Sequence, residues 1–389
     1  MRYLIPHPVI KYGKHLPSAV LANVKHGFPG RKLKVIGVTG TDGKTTTVNM
    51  IYQILKDAGK KVSMISTINA VIGGKQYDTG FHVTSPEPAM IQKFLRQSVD
   101  TEDEFMVLEV TSHALDQFRT WGIKFEIGVI TNITHEHLDY HKTFENYVKT
   151  KFKLVKSAKM AVINQNIEGS WDNKGKKIIT FGLDKGDFNQ NQLKLKLKIP
   201  GDYNIENALA ALAVVSELGI DKKSAQETLE NFSNLQGRME EVKNNRGIKI
   251  IVDFAHTPNA LENALKTLRL QTKGQLIAVF GCAAERDKEK RPLMGEISAK
   301  FADIIILTDE DPRFENSNKI IEEIAQGVGD KKLFKESDRG KAIEMAVNMA
   351  KKGDVIGIFG KGHEKSMNYF GVEKPWSDQD IVIKILKNG

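Results

Sequence analysis

One stretch constrains the fold more than any other: Gly37-Val38-Thr39-Gly40-Thr41-Asp42-Gly43-Lys44-Thr45-Thr46-Thr47. Ahead of it, Leu33-Lys34-Val35-Ile36 is short, apolar and β-branched, which reads as a buried strand. Behind it, Val48, Ile51 and Leu55 recur at helical spacing and Gly59 supplies a stop. Strand, glycine turn and helix are the context of a phosphate-binding loop. The glycines let backbone N–H groups turn inward onto phosphate oxygens, and the helix N-terminus adds positive potential. Lys44 reaches the terminal phosphates, and the Thr45 hydroxyl is placed to ligate Mg2+. The strict pattern asks for glycine where Val38 stands. Gly37 and Gly40 flank that slot, so the loop is a variant.

At 389 residues the chain is long enough for two or three domains with cores of their own. It has no apolar run long enough to span a bilayer and no basic-then-apolar leader at Met1. The single cysteine, Cys282, excludes an internal disulfide and fits a reducing, cytoplasmic setting. The net charge of +9 comes from lysines spread along the chain, many as Lys-Lys pairs. It reads as a solvated surface plus a site for anionic substrates. No nucleic-acid-binding motif is present, so no nucleic-acid partner is expected.

Residues 1–32 are short and mixed, enough for a strand or small helix but not a domain. Strands and helices then alternate over 33–236. The strand candidates are Leu33–Val38, Lys61–Ser66, Phe105–Val110, Ile127–Thr131 and Met160–Asn164, apolar on both sides as in a covered parallel sheet. Asn189–Lys198 alternates strictly and predicts a half-exposed strand, followed by a helix over Asn204–Leu218. A second α/β series occupies 237–389. Its strands are expected at Ile248–Phe254, Gln275–Phe280, Ile304–Leu307 and Val355–Phe359. Its helices are expected at Pro258–Leu268, Leu293–Phe301, Lys319–Ile324 and Lys341–Ala350. Ligands of such doubly wound sheets sit beyond the carboxyl ends of the strands.

Several chemistry-bearing residues fall at those ends. Glu109 ends one strand, and His137 follows another within Thr131-Asn132-Ile133-Thr134-His135-Glu136-His137-Leu138-Asp139-Tyr140-His141. Downstream of a phosphate loop, a carboxylate and an imidazole are candidate metal ligands, and the loop favours magnesium over zinc. Asp253 ends a strand before Pro258 opens a helix, a position that suits ribose binding or a cap. Arg286 and Arg291 follow another strand, where a guanidinium can take a carboxylate. Gly360-Lys361-Gly362-His363-Glu364 is a further glycine turn at a strand end.

Taken together these motifs resemble the Mur ligases. The resemblance lies in Thr39 through Thr47, Glu109 through Gln117, Thr131 through His141, Tyr203 through Ala210 and Gly237 through Glu240. It continues in Asp253 through Pro258, Asp287 through Gly295, Asp309 through Arg313 and Gly360 through Glu364. Their order and spacing are most similar to the MurE type, over roughly residues 33–389. The resemblance implies a P-loop ATPase-type parallel sheet domain followed by a Rossmann-like α/β C-terminal domain. It implies a ligase of peptidoglycan precursor synthesis that uses ATP and Mg2+. Such an enzyme adds a diamino acid, meso-diaminopimelate or L-lysine, to a muramoyl-L-Ala-D-Glu acceptor through an acyl phosphate.

Residue by residue, the resemblance assigns Gly40, Thr41, Asp42, Gly43, Lys44, Thr45 and Thr46 to ATP, with Asn204, Asn207, Arg238 and Asp253. It assigns Thr45, Glu109 and His137 to Mg2+, together with Lys151, which matches a lysine that is carbamylated in the family. Thr84, Ser85, Thr111, Gln117 and Arg119 match contacts to the muramoyl-peptide end. Arg286, Asp311, Arg313, Gly360 and Glu364 match the site of the incoming amino acid. Catalysis would rest on Lys44, Glu109, His137 and Lys151.

Two departures stand out. Only about thirty residues precede the first strand, so the family's N-terminal UDP-binding domain is expected to be lacking. The family's Asp-Asn-Pro-Arg is here Glu310-Asp311-Pro312-Arg313. Arg313 keeps a partner for a distal carboxylate, whereas Asp311 adds charge that favours a distal amine. A Mur-like ligase with an acceptor not linked to UDP stays open, as does a P-loop switch or partitioning ATPase. The partners expected are small molecules, with no membrane span, and the chain is expected to be a monomer.

Overall fold

The computed structural model describes residues 7–77, 85–167 and 175–388, and the chain falls into two compact units. The first comprises residues up to Thr134 and His141–Phe232. The second comprises His135–Tyr140 and Ser233 onward.

The first unit opens with α1 (His7–Ile10), a π-helical turn over Lys11–His15 and α2 (Leu16–His26). It continues with β1 (Lys34–Thr39), α3 (Lys44–Asp57), β2 (Val62–Ile65), β3 (Ala70–Ile72), β4 (Lys75–Tyr77), α4 (Pro88–Asp100), β5 (Phe105–Glu109), α5 (Ser112–Asp116) and β6 (Phe125–Ile130). After α6 (Leu138–His141), where the chain passes between the units, come α7 (Phe144–Ser157), β7 (Met160–Asn164), β8 (Ile178–Gly182), β9 (Phe188–Asn189), α8 (Gln190–Leu193), α9 (Asp202–Glu217) and α10 (Lys222–Glu230). Among the described residues the strands form one sheet in the order β4-β3-β2-β5-β1-β6-β7-β8-β9. It is parallel from β2 through β9, with β3 and β4 added antiparallel at one edge.

The β-branched runs β1 and β5 are buried almost throughout, as strands covered on both faces must be. Strand β1 lies between β5 and β6, so the loop leaving it opens where the connections part to either side.

The second unit contains β10 (Glu240–Val242), β11 (Lys249–Asp253), α11 (Pro258–Gln271), β12 (Leu276–Phe280), α12 (Lys290–Phe301), β13 (Ile304–Leu307), α13 (Ser317–Ala325) and β14 (Lys332–Lys335). It ends with α14 (Arg339–Met349), β15 (Val355–Phe359), the hairpin β16 (Ser366–Tyr369) and β17 (Val372–Pro375), and α15 (Asp378–Asn388). Its main sheet runs β10-β11-β15-β12-β13-β14, parallel apart from β10. Ile250, Val252, Ile277, Val279, Ile304, Ile306, Ile356 and Ile358 project from it into one apolar core under α14 and α15.

The strand expected over Asn189–Lys198 is corrected. Only Phe188 and Asn189 pair, and the chain then turns into α8. Asn189 caps that helix by accepting from the Gln192 N–H, and Lys194 stands left-handed at its end. The alternation survives as burial, with Leu195 inside between exposed lysines. The Gln190 side-chain amide, not a neighbouring strand, pairs with both backbone groups of Leu195. An alternating pattern describes which face is wet, not whether a partner strand exists. No helix among the described residues is long and apolar enough to cross a membrane.

Candidate functional site

The loop before α3 is held from several sides. Gly43 has φ +80°, and a Cβ there would come 2.2 Å from Asn207 Oδ1 on α9. Glycine is therefore required both by conformation and by close approach. Thr131 Oγ1 donates to the Asp42 carbonyl at 2.6 Å, and Asn132 Oδ1 accepts from the Asp42 N–H at 2.9 Å. The Thr41 hydroxyl meets Tyr147 Oη at 3.0 Å and accepts from the Thr134 N–H. Thr46 is buried one position further into α3. Two ammonium groups converge on one carbonyl: Lys44 Nζ lies 3.1 Å and Lys151 Nζ 2.6 Å from Gly40 O. Lys44 also donates to Thr41 O at 2.7 Å. Lys151 is buried with its amine 4.5 Å from the centre of the Tyr147 ring.

Behind the loop, Thr45 Oγ1 donates to both oxygens of buried Glu109, at 3.1 and 3.0 Å. Thr67, just past β2, adds its N–H to one oxygen and its hydroxyl to the other, both at 2.8 Å. This is an all-oxygen donor set at one buried point, and it fits a hard divalent cation such as Mg2+. Thr67 was not anticipated. No local pattern marks it, and only the pairing of β2 with β5 brings it to Glu109. Asn204 and Asn207 sit together on α9, with Asn207 Oδ1 accepting from Thr47.

At the same sheet edge, Ser85 Oγ donates to Glu109 O and accepts from the Thr111 N–H. Thr111 caps α5. Arg119 donates to Ser85 O at 2.6 Å and through two nitrogens to Gln117 Oε1. Ser85, Thr111, Gln117 and Arg119 are thus one connected group, while Thr84 lies outside the described residues. Asp116 below them accepts from Lys11 and Lys153. Burial alone would raise its pKa, but the two lysines prevail and hold it at about 2.

In the second unit, His137 has φ +58° and its Nδ1 lies 3.7 Å from Glu136. His135 Nε2 faces Asp287 at 3.1 Å, whereas His141 belongs to the first unit and meets Ser112. Arg238 stacks 4.6 Å from the centre of the Phe254 ring. The two Asp253 oxygens accept the backbone N–H groups of Met239 and Ala255, which shapes the turn after β11.

The loops after β12, β13 and β15 meet. Ala284 N donates to Asp311 O, and buried Lys361 Nζ reaches Asp311 Oδ1 at 2.9 Å and Glu364 Oε2 at 2.6 Å. Arg313 is held with φ +46° by backbone bonds to Asn368 and Phe370. The Arg286 pKa is lowered by desolvation and by the like charge of Arg313. Gly360 has φ +106°, and a Cβ there would lie 2.1 Å from Glu310 Oε2. That oxygen is buried without a hydrogen-bond partner among the described residues. Burial raises the Glu310 pKa to about 8 against the pull of Lys290, Arg339 and Lys361. Glu310 and Lys361 were not singled out as site residues, although both stand inside motifs already noted.

The Mur ligase middle domain matches residues 38–215, and the Mur ligase glutamate ligase domain matches residues 237–362. The chain is 38% identical to a UDP-N-acetylmuramoyl-L-alanyl-D-glutamate–2,6-diaminopimelate ligase of Clostridium acetobutylicum, over 97% of this chain and 86% of that protein. A solved ligase of the same name shares 29% identity over 92% of this chain and 78% of its own, with a TM-score of 0.58. The MurF ligase of Thermotoga maritima, solved with ADP, has the same fold at a TM-score of 0.67 and 20% identity, covering 95% of this chain and 83% of that one. Both units carry the likeness, and it spans nearly the whole chain: this protein belongs to the Mur ligase family of ATP-dependent ligases.

Proposed function

We propose that the chain joins 2,6-diaminopimelate to UDP-N-acetylmuramoyl-L-alanyl-D-glutamate at the expense of ATP, working as a cytoplasmic monomer. The observation that carries the amino-acid choice is the second unit's loop cluster. There Arg286 feels the charges of Arg313 and Asp311, and Lys361 joins Asp311 to Glu364. A diamino dicarboxylic acid presents both charges to such a cluster. Asp311 alone would repel a second carboxylate, but Lys361 lies 2.9 Å away and balances its charge. Arg313, whose Nη1 stands 4.0 Å from a Glu285 oxygen, pairs bidentately with the distal carboxylate when the amino acid binds. Glu310, buried and short of a partner, receives an amine, as does Glu364.

In the first unit the acceptor carboxylate takes the γ-phosphoryl group of ATP and ADP leaves. The amine then attacks the acyl phosphate and releases inorganic phosphate. Lys44 and the N-terminus of α3 balance the charge spread over the transferring group. Thr45 and Glu109 would hold Mg2+. The ion supplies charge neutralisation at the phosphate oxygens. Lys151 turns from Gly40 O, loses a proton to become the free amine, and adds CO2 with loss of a second proton, giving a carbamate whose single negative charge is shared by two oxygens beside the loop. Ser85, Thr111, Gln117 and Arg119 grip the peptide end of the acceptor.

The test offers equal concentrations of meso-diaminopimelate, L-lysine and L-ornithine with ATP and the UDP-linked dipeptide, and identifies products by mass. The diaminopimelate adduct is expected to dominate. A lysine adduct in excess would reverse the amino-acid assignment, and ATP turnover with no adduct would remove the ligase reading.

A further inference from the structure

The second unit buries an ion pair that no motif explains. Arg339, the first residue of α14, and Asp378, the first residue of α15, are both fully enclosed. Arg339 Nε and Nη2 each donate to one Asp378 oxygen at 2.7 Å, and Trp376 Nε1 donates to the same carboxylate at 2.8 Å. A buried pair of this kind is not in itself evidence of stability, since desolvation offsets much of the attraction. Its other contacts are more informative. Arg339 Nη1 donates to Asp309 O at 3.2 Å and Nη2 to Phe359 O at 2.8 Å.

Those carbonyls stand at the roots of two turns, Glu310–Arg313 after β13 and Gly360–Glu364 after β15. The two strands are not neighbours, because β12 lies between them. One planar guanidinium, fixed by a carboxylate fork, therefore spans the carboxyl edge of β12 and sets the distance between the turns on either side. Lys361 ties the same two turns from within, through Asp311 and Glu364. A lysine at 339 has three donors radiating from one point and cannot fill a bidentate fork and two separated carbonyls in one plane.

We infer that Arg339 and Asp378 are positioning residues that set the spacing of the two amino-acid-binding turns without touching the amino acid. This rests on the proposed reading of those turns as the amino-acid site. A displacement of about 1 Å at reacting groups is enough to cost orders of magnitude in rate. The pair therefore acts on recognition more than on overall stability.

The experiment measures steady-state constants and unfolding midpoints for wild type, Asp378→Asn, Arg339→Lys and the milder Trp376→Phe. The first two are expected to raise KM for diaminopimelate by about ten-fold and to narrow its preference over lysine, with KM for ATP unchanged. Trp376→Phe removes a single hydrogen bond and is expected to give a rise of about two- to three-fold. It keeps the test open if the charged variants fail to fold. A purely structural role would lower the midpoint and the active fraction but leave KM and the preference at wild-type values, and that result overturns the inference. If wild type takes diaminopimelate while folded variants keep its KM, this inference alone fails. If wild type takes no diamino acid, both readings fail.

Discussion

The two units build their sites by different means. In the first, the phosphate loop is continuous in sequence and works largely through backbone. Gly40, Gly43 and the first turn of α3 sit within a few residues of one another, and distant side chains such as Thr131 and Asn207 only brace them. In the second, no single stretch makes the site. Three loops contribute, separated by whole helices, and what registers them is the buried charge of Arg339 and Lys361. A backbone site tolerates change in its braces and fails when the cation facing the transferring group is lost. A site held by buried charges should instead lose discrimination and pH tolerance before it loses turnover.

The largest effect expected is at Lys44. Lys44→Ala should cut ligation by about 10³-fold or more, because it removes the charge that faces the transferring phosphoryl group. The amine donates to the Gly40 and Thr41 carbonyls of its own loop, and the unfolding midpoint is expected to stay near that of wild type. A variant that ligates at the wild-type rate would break the comparison on the first unit's side.

Next comes Arg313. Arg313→Lys keeps the charge but loses the fork, and a buried carboxylate left half-paired costs about 2–4 kcal/mol. The ratio of kcat/KM for diaminopimelate to that for lysine should fall by about 30-fold or more, with lysine use itself little changed. An equal fall for both amino acids would mean that Arg313 shapes the loop and does not read the substrate.

Much of the strand framework of both units was legible, and the reason is physical. Met160–Asn164, Ile304–Leu307 and Val355–Phe359 are continuous β-branched or apolar runs, and burial on both faces leaves such a run little choice. The glycine loop carries its function in its own spacing. What stayed hidden depends on partners far along the chain. Arg339 stands just ahead of the helix expected at Lys341–Ala350, and nothing in the sequence links it to Asp378, 39 residues on. Lys361 sits in a noted motif, but its burial follows from Asp311, 50 residues earlier. Leu195 alternates like a strand residue, yet its partner is the side chain of Gln190.

A smaller effect tests the buried charges through pH. Glu310 titrates at about 8 in the folded chain against 4.5 for an ordinary glutamate. Between those values the folded chain keeps a proton that the unfolded chain releases. The stability this contributes is therefore fully present below about 4.5 and is lost as pH rises through 8. Glu310→Gln removes that dependence. Wild type should lose about 2–4 kcal/mol relative to the variant between pH 5 and pH 8.5, measured by denaturant unfolding. Parallel curves would mean that Glu310 is ionised and paired in the folded protein, and the second unit would then resemble the first.

The smallest effect belongs to the first unit, at the join between its N-terminal segment and α5. Asp116 accepts from Lys11, in the π-helical turn, and from Lys153 on α7. Here the folded pKa, about 2, lies below the ordinary 3.8. The sign is opposite to that of Glu310: the stabilisation is present above about 3.8 and is lost as pH falls through 2. The side chain is only 10% exposed, but Lys153 is 45% exposed, so solvent screens part of the interaction. Asp116→Asn should cost about 1–2 kcal/mol at pH 7 and almost nothing near pH 2. Lys11→Met should remove the larger share of that difference, because Lys11 is the more buried partner. If Lys11→Met leaves the pH dependence of wild type intact, the N-terminal segment is not anchored through this carboxylate. Lys153 would then be the lysine that sets its pKa.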